Sequence, residues 1–197
     1  MKKEFLAQFV SLALGPLTIL ILMPIIIVYR QTGNLGYSLE WEIFSLFFIF
    51  LGLAFFLVGR ARGIYSDFDI SKRQERERFY LVTLILTFVY FISTALIKGF
   101  FFHLTAIILS SFLIVLAFTV ANSFIKASIH LGIVCAFVFA MGLFYGPTVF
   151  IPLFFLIPLM AWSRLDLKKH TPKELLVGGL LGTLITIASF IIWEFLI

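Results

Sequence analysis

Four residues near the end of a 197-residue chain have the types and spacing for anion chemistry: Ser163 and Arg164, then His170, then Glu174. An arginine presents a planar fork of donors to phosphate oxygens. A histidine near neutral pH can attack phosphorus or move a proton. A carboxylate one helical turn beyond that histidine can hold one ring nitrogen and leave the other to react. The segment Thr171-Pro172-Lys173-Glu174 also reads as a helix start, a capping box with Thr171 as N-cap, Pro172 at N1 and Glu174 at N3. Glu174 thus has two candidate duties, capping and orienting His170, and one carboxylate to share between them. His170 falls just ahead of the helix N-terminus, where partial positive charge and free amides favour an anion.

Two further polar segments interrupt the apolar sequence: SDFDISKRQERERF (66–79), with Arg73 and Arg76, and KASIH (126–130), with Lys126, Ser128 and His130. Neither contains a zinc-type Cys/His cluster, a glycine-rich phosphate loop or a serine elbow. No cofactor and no resident metal are expected. Asp67 and Asp69 are the exception to weigh. Carboxylates at i and i+2 beside arginines can hold a divalent metal that carries a phosphate, as a metal-dependent lipid transferase would use. The simpler reading is that they balance Arg60, Arg62, Lys72 and Arg73 in a solvated loop. The run KRQERER likewise reads as an exposed, salt-bridged helical turn.

Taken together, these segments resemble the type 2 phosphatidic acid phosphatase superfamily. Ser163-Arg164, five residues, His170, three residues and Glu174 is similar to its third signature, Ser-Arg-x5-His-x3-Asp. ASIH (127–130) is similar to its second, Pro-Ser-Gly-His. In the first, Lys-x6-Arg-Pro, Arg76 takes the arginine position, while Asp69 and Glu77 stand where the family has lysine and proline. The resemblance covers roughly residues 66 to 185. It implies a membrane-embedded lipid phosphate phosphatase in which His170 is the nucleophile and forms a phosphohistidine, Glu174 orients it, and His130 protonates the leaving group. Arg164, Arg76, Arg73 and Ser128 would hold the phosphoryl oxygens, with Lys126 supplying the charge missing at Asp69. The implied partners are membrane lipids and a lipid phosphate or prenyl (di)phosphate substrate. The departures at Asp69, Glu77, Ile129 and Glu174 keep a second expectation open, a lipid-phosphate-binding protein that has lost catalysis.

The elements that must position these residues follow from composition. The chain is 62% hydrophobic and 13% charged, with 26 phenylalanines and a mean hydropathy of +1.13. A soluble domain of this length cannot bury that much apolar surface, so lipid must solvate it. Strand-type alternation is absent, which leaves an all-α, polytopic helical bundle. Apolar runs predict about seven transmembrane helices, at 6–29, 41–59, 79–97, 101–122, 130–145, 147–162 and 173–195. Six is the alternative, with 130–162 forming one shortened pair or the first helix lying at the interface. The basic tip and long apolar start read as a retained first helix rather than a cleaved leader. Residues 1–197 are read as one transmembrane domain, with 1–65 as additional N-terminal helices.

With seven crossings, thirteen of the fifteen basic residues fall on one face and only Arg30 and Lys98 on the other. The positive-inside rule then puts that face in the cytoplasm of a bacterial or archaeal cell membrane. Because the basic residues alternate with spans, no nucleic-acid surface is expected. Gly178, Gly182 and Thr186 form a small-residue seam suited to close packing within the bundle and, secondarily, to a homodimer. Trp41, Trp162 and Trp193 fall near span ends, where interfacial aromatic belts are expected.

Overall fold

The computed structural model describes residues 2–99 and 102–196, and every regular element among them is helical. In chain order these are α1 (Lys2–Ala13), α2 (Pro16–Thr32), α3 (Leu35–Ala61), α4 (Arg73–Ser93), α5 (Phe102–Ala121), α6 (Ile129–Tyr145), α7 (Pro147–Phe154), α8 (Leu156–Asp166) and α9 (Pro172–Leu196). A π-helical turn, Thr94–Lys98, extends α4. Most of the breaks coincide with glycine. Gly33, Gly63, Gly99 and Gly146 all have positive φ, which a residue without Cβ adopts at little cost. Gly146 ends α6 and Pro147 opens α7, the pairing of C-terminal glycine and N-terminal proline expected at a sharp stop.

Five helices are long and apolar enough to cross a membrane: Leu35–Ala61, Arg73–Lys98, His103–Ala121, Pro147–Asp166 and Pro172–Phe195. The first apolar run is broken between Ala13 and Pro16, so α1 and α2 are bent by 41° and make a sixth span only as a pair. The fifth run, α6, has 17 residues. At about 1.5 Å per residue it rises roughly 25 Å, short of a hydrocarbon core of about 30 Å. The count of five to six therefore differs from seven at the broken first run and at this short helix.

The described chain divides into two compact units, Leu20–Asn122 and a discontinuous one made of Met1–Ile19 and Ser123–Ile197. Within the discontinuous unit α1 packs along α8. In the 20–122 unit, Phe56, Tyr65 and Ile70 form a core over which the loop before α4 folds. Trp41 is wholly buried there, edge-on to Tyr37 and Phe44, and Trp193 of the other unit is 5% exposed. Both are therefore more buried than residues of a lipid-exposed aromatic belt would be.

One polar contact stands out in the 20–122 unit. Pro24 lies inside α2, where a proline disturbs the hydrogen-bond ladder, and the next amide, Ile25 N–H, donates to Glu42 Oε2 of α3 at 3.2 Å. Glu42 is 8% exposed. Glu42→Ala is expected to cost about 1–3 kcal/mol, the penalty for stranding a buried donor, whereas Glu42→Gln keeps an acceptor and stays near wild type. Thermal unfolding in detergent measures both. Equal melting temperatures for wild type and Glu42→Ala would rule out this role for the carboxylate.

Candidate functional site

The 163–174 segment builds its site by local rules. α8 ends at Leu167, and Lys168 adopts a left-handed φ of 53°. Lys168 N–H returns to Leu165 C=O and Lys169 N–H to Arg164 C=O, the double closure of a Schellman motif. The chain then has two residues in which to start α9. Thr171 Oγ1 accepts from Glu174 N–H at 3.3 Å, and Glu174 Oε2 accepts from Thr171 N–H at 3.0 Å. The capping box expected from sequence is therefore formed.

The same oxygen also meets the histidine: His170 Nδ1 lies 3.1 Å from Glu174 Oε2. The two duties of Glu174 thus coexist on Oε2. A carboxylate only accepts, so Nδ1 carries the proton and Nε2 is left with its lone pair in the neutral ring. The His170 side chain is 1% exposed and that of Glu174 19%. Burial keeps competing water from the pair and fixes the ring plane.

Residues 126–130 reach this hairpin from the other side. Lys126 Nζ donates to Lys169 C=O at 2.9 Å, and Ser128 N–H donates to Glu174 C=O at 3.0 Å. Lys126, Lys168, Lys169, His170, Thr171 and Glu174 line a pocket of about 450 Å³, together with Leu165 and Pro172. Three lysines around a helix N-terminus make this an anion-attracting surface. The Ser128 hydroxyl is wholly buried and makes no hydrogen bond among the described residues. His130 sits in the first turn of α6, two residues on.

Close approach of α6 and α9 makes this assembly possible. A Cβ at Gly178 would overlap the Ser128 carbonyl, and one at Gly182 would overlap that of Gly132. Contacts at 128–178 and 132–182 advance together, so α6 and α9 run parallel, backbone against backbone. The small-residue seam packs within the bundle, as its spacing predicts.

Arg164 is placed differently from the lysines. It is 2% exposed, and Nη1 donates to Ser11 Oγ of α1 at 2.7 Å. Its neighbour Ser163 donates to Ala7 C=O at 2.6 Å, and Asp166 pairs with Lys3 at 2.5 Å. Lys3, Ala7 and Ser11 recur every four residues, one face of α1, while Phe5, Phe9 and Leu12 on its other faces stay exposed. Sequence reasoning left Ser11, which contacts Arg164, outside the site. The signal was present as a small and polar stripe in an otherwise apolar helix.

The segment 66–79 belongs to the other unit. Asp67 accepts from Asp69 N–H, Ser71 N–H and Ser71 Oγ, at 2.8, 3.3 and 3.1 Å. This carboxylate shapes its own loop, and no group of three or more metal-ligating side chains occurs among the described residues. Arg76 is 3% exposed and its Nε donates to Ile70 C=O at 2.8 Å, closing the loop onto α4. Arg73 is exposed, and its carbonyl accepts from Asn122 Nδ2. Glu75 pairs with Lys72 and accepts from the Ser66 amide and hydroxyl, so part of the charged run is the salt-bridged turn expected of it.

Comparison of the chain with family models, with curated proteins and with solved structures finds no match.

Proposed function

We propose that the chain is a membrane-embedded phosphohydrolase, a divergent relative of the type 2 phosphatidic acid phosphatases, acting on a lipid phosphate or prenyl (di)phosphate. The observation that carries this reading is the His170 Nδ1 to Glu174 Oε2 contact, which favours the tautomer whose Nε2 is the nucleophilic nitrogen, in a histidine that lines a lysine-rich pocket at a helix N-terminus. Phosphoryl transfer needs little beyond positioning and charge stabilisation of the equatorial oxygens. Lys126, Lys168 and Lys169 supply charge, and the buried Ser128 hydroxyl is a further donor.

In the reaction, Nε2 attacks phosphorus, an N–P bond forms and the bond to the leaving oxygen breaks. His130 gives its proton to that oxygen. Water then attacks the phosphohistidine, the N–P bond breaks, and His130 recovers a proton from the water. The pocket lies at the ends of α6, α8 and α9 where the chain leaves the apolar run, so an acyl or prenyl tail stays in lipid while its headgroup meets His170. Counting α6 as a crossing gives seven, and the basic excess then turns this end to the cytoplasm.

Phosphate release from a panel of lipid phosphates by protein purified in detergent with EDTA tests the reading. Release that survives chelation is expected. No release from any substrate sinks the phosphohydrolase and favours a lipid-phosphate-binding protein. Release that needs a divalent cation favours the transferase-type chemistry considered for Asp67 and Asp69. Glu174→Gln separates the two duties of the carboxylate. Glutamine keeps an acceptor for the Thr171 amide, so the melting temperature is expected to change little. An amide can also offer N–H to Nδ1 and select the wrong tautomer, so activity is expected to fall by about 10²–10⁴-fold. Unchanged turnover would leave Glu174 as a cap alone.

A further inference from the structure

We infer that the α1–α2 elbow is a working part of the site and that Ser11 is the positioning residue for Arg164, holding its guanidinium for a phosphoryl oxygen. This rests on the phosphohydrolase reading and deepens it. Arg164 is 2% exposed and Ser11 8%, and their Nη1 to Oγ separation is 2.7 Å. The contact is not an isolated one. α1 runs antiparallel to α8, with Lys3 on Asp166 and Ala7 C=O on the Ser163 hydroxyl. Side chains of a helix lean toward its N-terminus, so Arg164 reaches back along α8 to Ser11, one turn beyond Ala7. The elbow that follows passes near a second site residue, since a Cβ added at Gly15 would stand 3.8 Å from His130 Cδ2. The stretch from Ser11 to Gly15 therefore runs beside both the arginine and the histidine to which charge stabilisation and proton transfer are assigned.

The choice of serine has a chemical reason. A guanidinium has five donors in one rigid plane, so anchoring one corner fixes the direction of the others. A hydroxyl does this without cancelling the positive charge. An aspartate at the same place would neutralise the arginine and compete with the phosphoryl group.

The test compares wild type with Ser11→Ala, and with Lys3→Ala as a control for docking of α1. Hydrolysis is measured per folded protein, together with competitive inhibition by inorganic phosphate. Ser11→Ala is expected to lower kcat/KM and phosphate affinity, each by on the order of tenfold, while Lys3→Ala leaves both unchanged. Ser11→Thr, which keeps the hydroxyl, is expected to restore them. Should Ser11→Ala not fold, Ser11→Cys makes the same comparison, because a thiol is a weak acceptor of similar size. A Ser11 variant that is less stable but has wild-type kcat/KM and phosphate inhibition overturns the positioning role while the phosphohydrolase stands. If wild type hydrolyses nothing, the phosphohydrolase reading fails, and stabilisation against heat by inorganic phosphate becomes the readout. Stabilisation lost in Ser11→Ala then supports the inference. Equal stabilisation, or none in wild type, overturns it.

Discussion

His170→Ala is expected to lower phosphate release from every lipid phosphate substrate by more than about 10⁴-fold, the scale of losing a nucleophile whose surroundings remain in place. The loss should be chemical rather than structural. The capping box survives the substitution, because Thr171 N–H and Glu174 N–H keep their partners on Glu174 and Thr171. The hairpin closures Lys126–Lys169 and Ser128–Glu174 are backbone-directed and do not involve the imidazole. Substrate affinity should change less than turnover, since the lysines that attract the phosphate are untouched. Added imidazole is expected to recover a part of the activity by entering the space left by the ring. Steady-state phosphate release and a thermal melt on the same preparation decide it: a variant that keeps about a tenth of wild-type turnover would place the nucleophile elsewhere.

Gly182→Val is expected to produce the largest structural effect of any single substitution, and to abolish activity without touching a reacting group. A Cβ at residue 182 would occupy the position of the Gly132 carbonyl. The listener to that clash is backbone, which cannot swing aside as a side chain can, so α6 and α9 must separate. Separation at 132–182 levers apart the 128–178 contact one turn away and, with it, the Ser128 N–H to Glu174 C=O bond that ties KASIH to the hairpin. Overpacking of this kind costs about 3 kcal/mol or more, and the gain from close helix contact in lipid is lost as well. Thermal unfolding and activity of Gly182→Val beside Leu184→Val are the measurement, because Leu184 is exposed on the same helix. Equal stability of the two variants would show that α6 and α9 do not meet at this seam.

What the sequence determined by itself was local. The all-helical class follows from hydropathy without alternation. The breaks at Gly33, Gly99 and Gly146-Pro147 follow from backbone chemistry. Thr171, Pro172 and Glu174 declared a helix start, and the four-residue step from His170 to Glu174 declared their meeting, because both relations are fixed by the geometry of one turn. Gly178 and Gly182 declared a close-packing seam for the same reason.

The tertiary structure decided what lies far apart in sequence. It brought α1 onto α8 and so gave Arg164 its partner in Ser11, 153 residues away. It placed Lys126 on the Lys169 carbonyl, let one oxygen of Glu174 serve both the cap and the histidine, and buried Trp41 against Tyr37 and Phe44. These could not be read in advance because hydrophobic periodicity identifies the face that a helix buries, and helices solvated by lipid are apolar on nearly every face. With that signal flat, only the sparse polar and small residues specify neighbours. A serine in an apolar helix shows that a partner is required, and the packed fold alone shows which one.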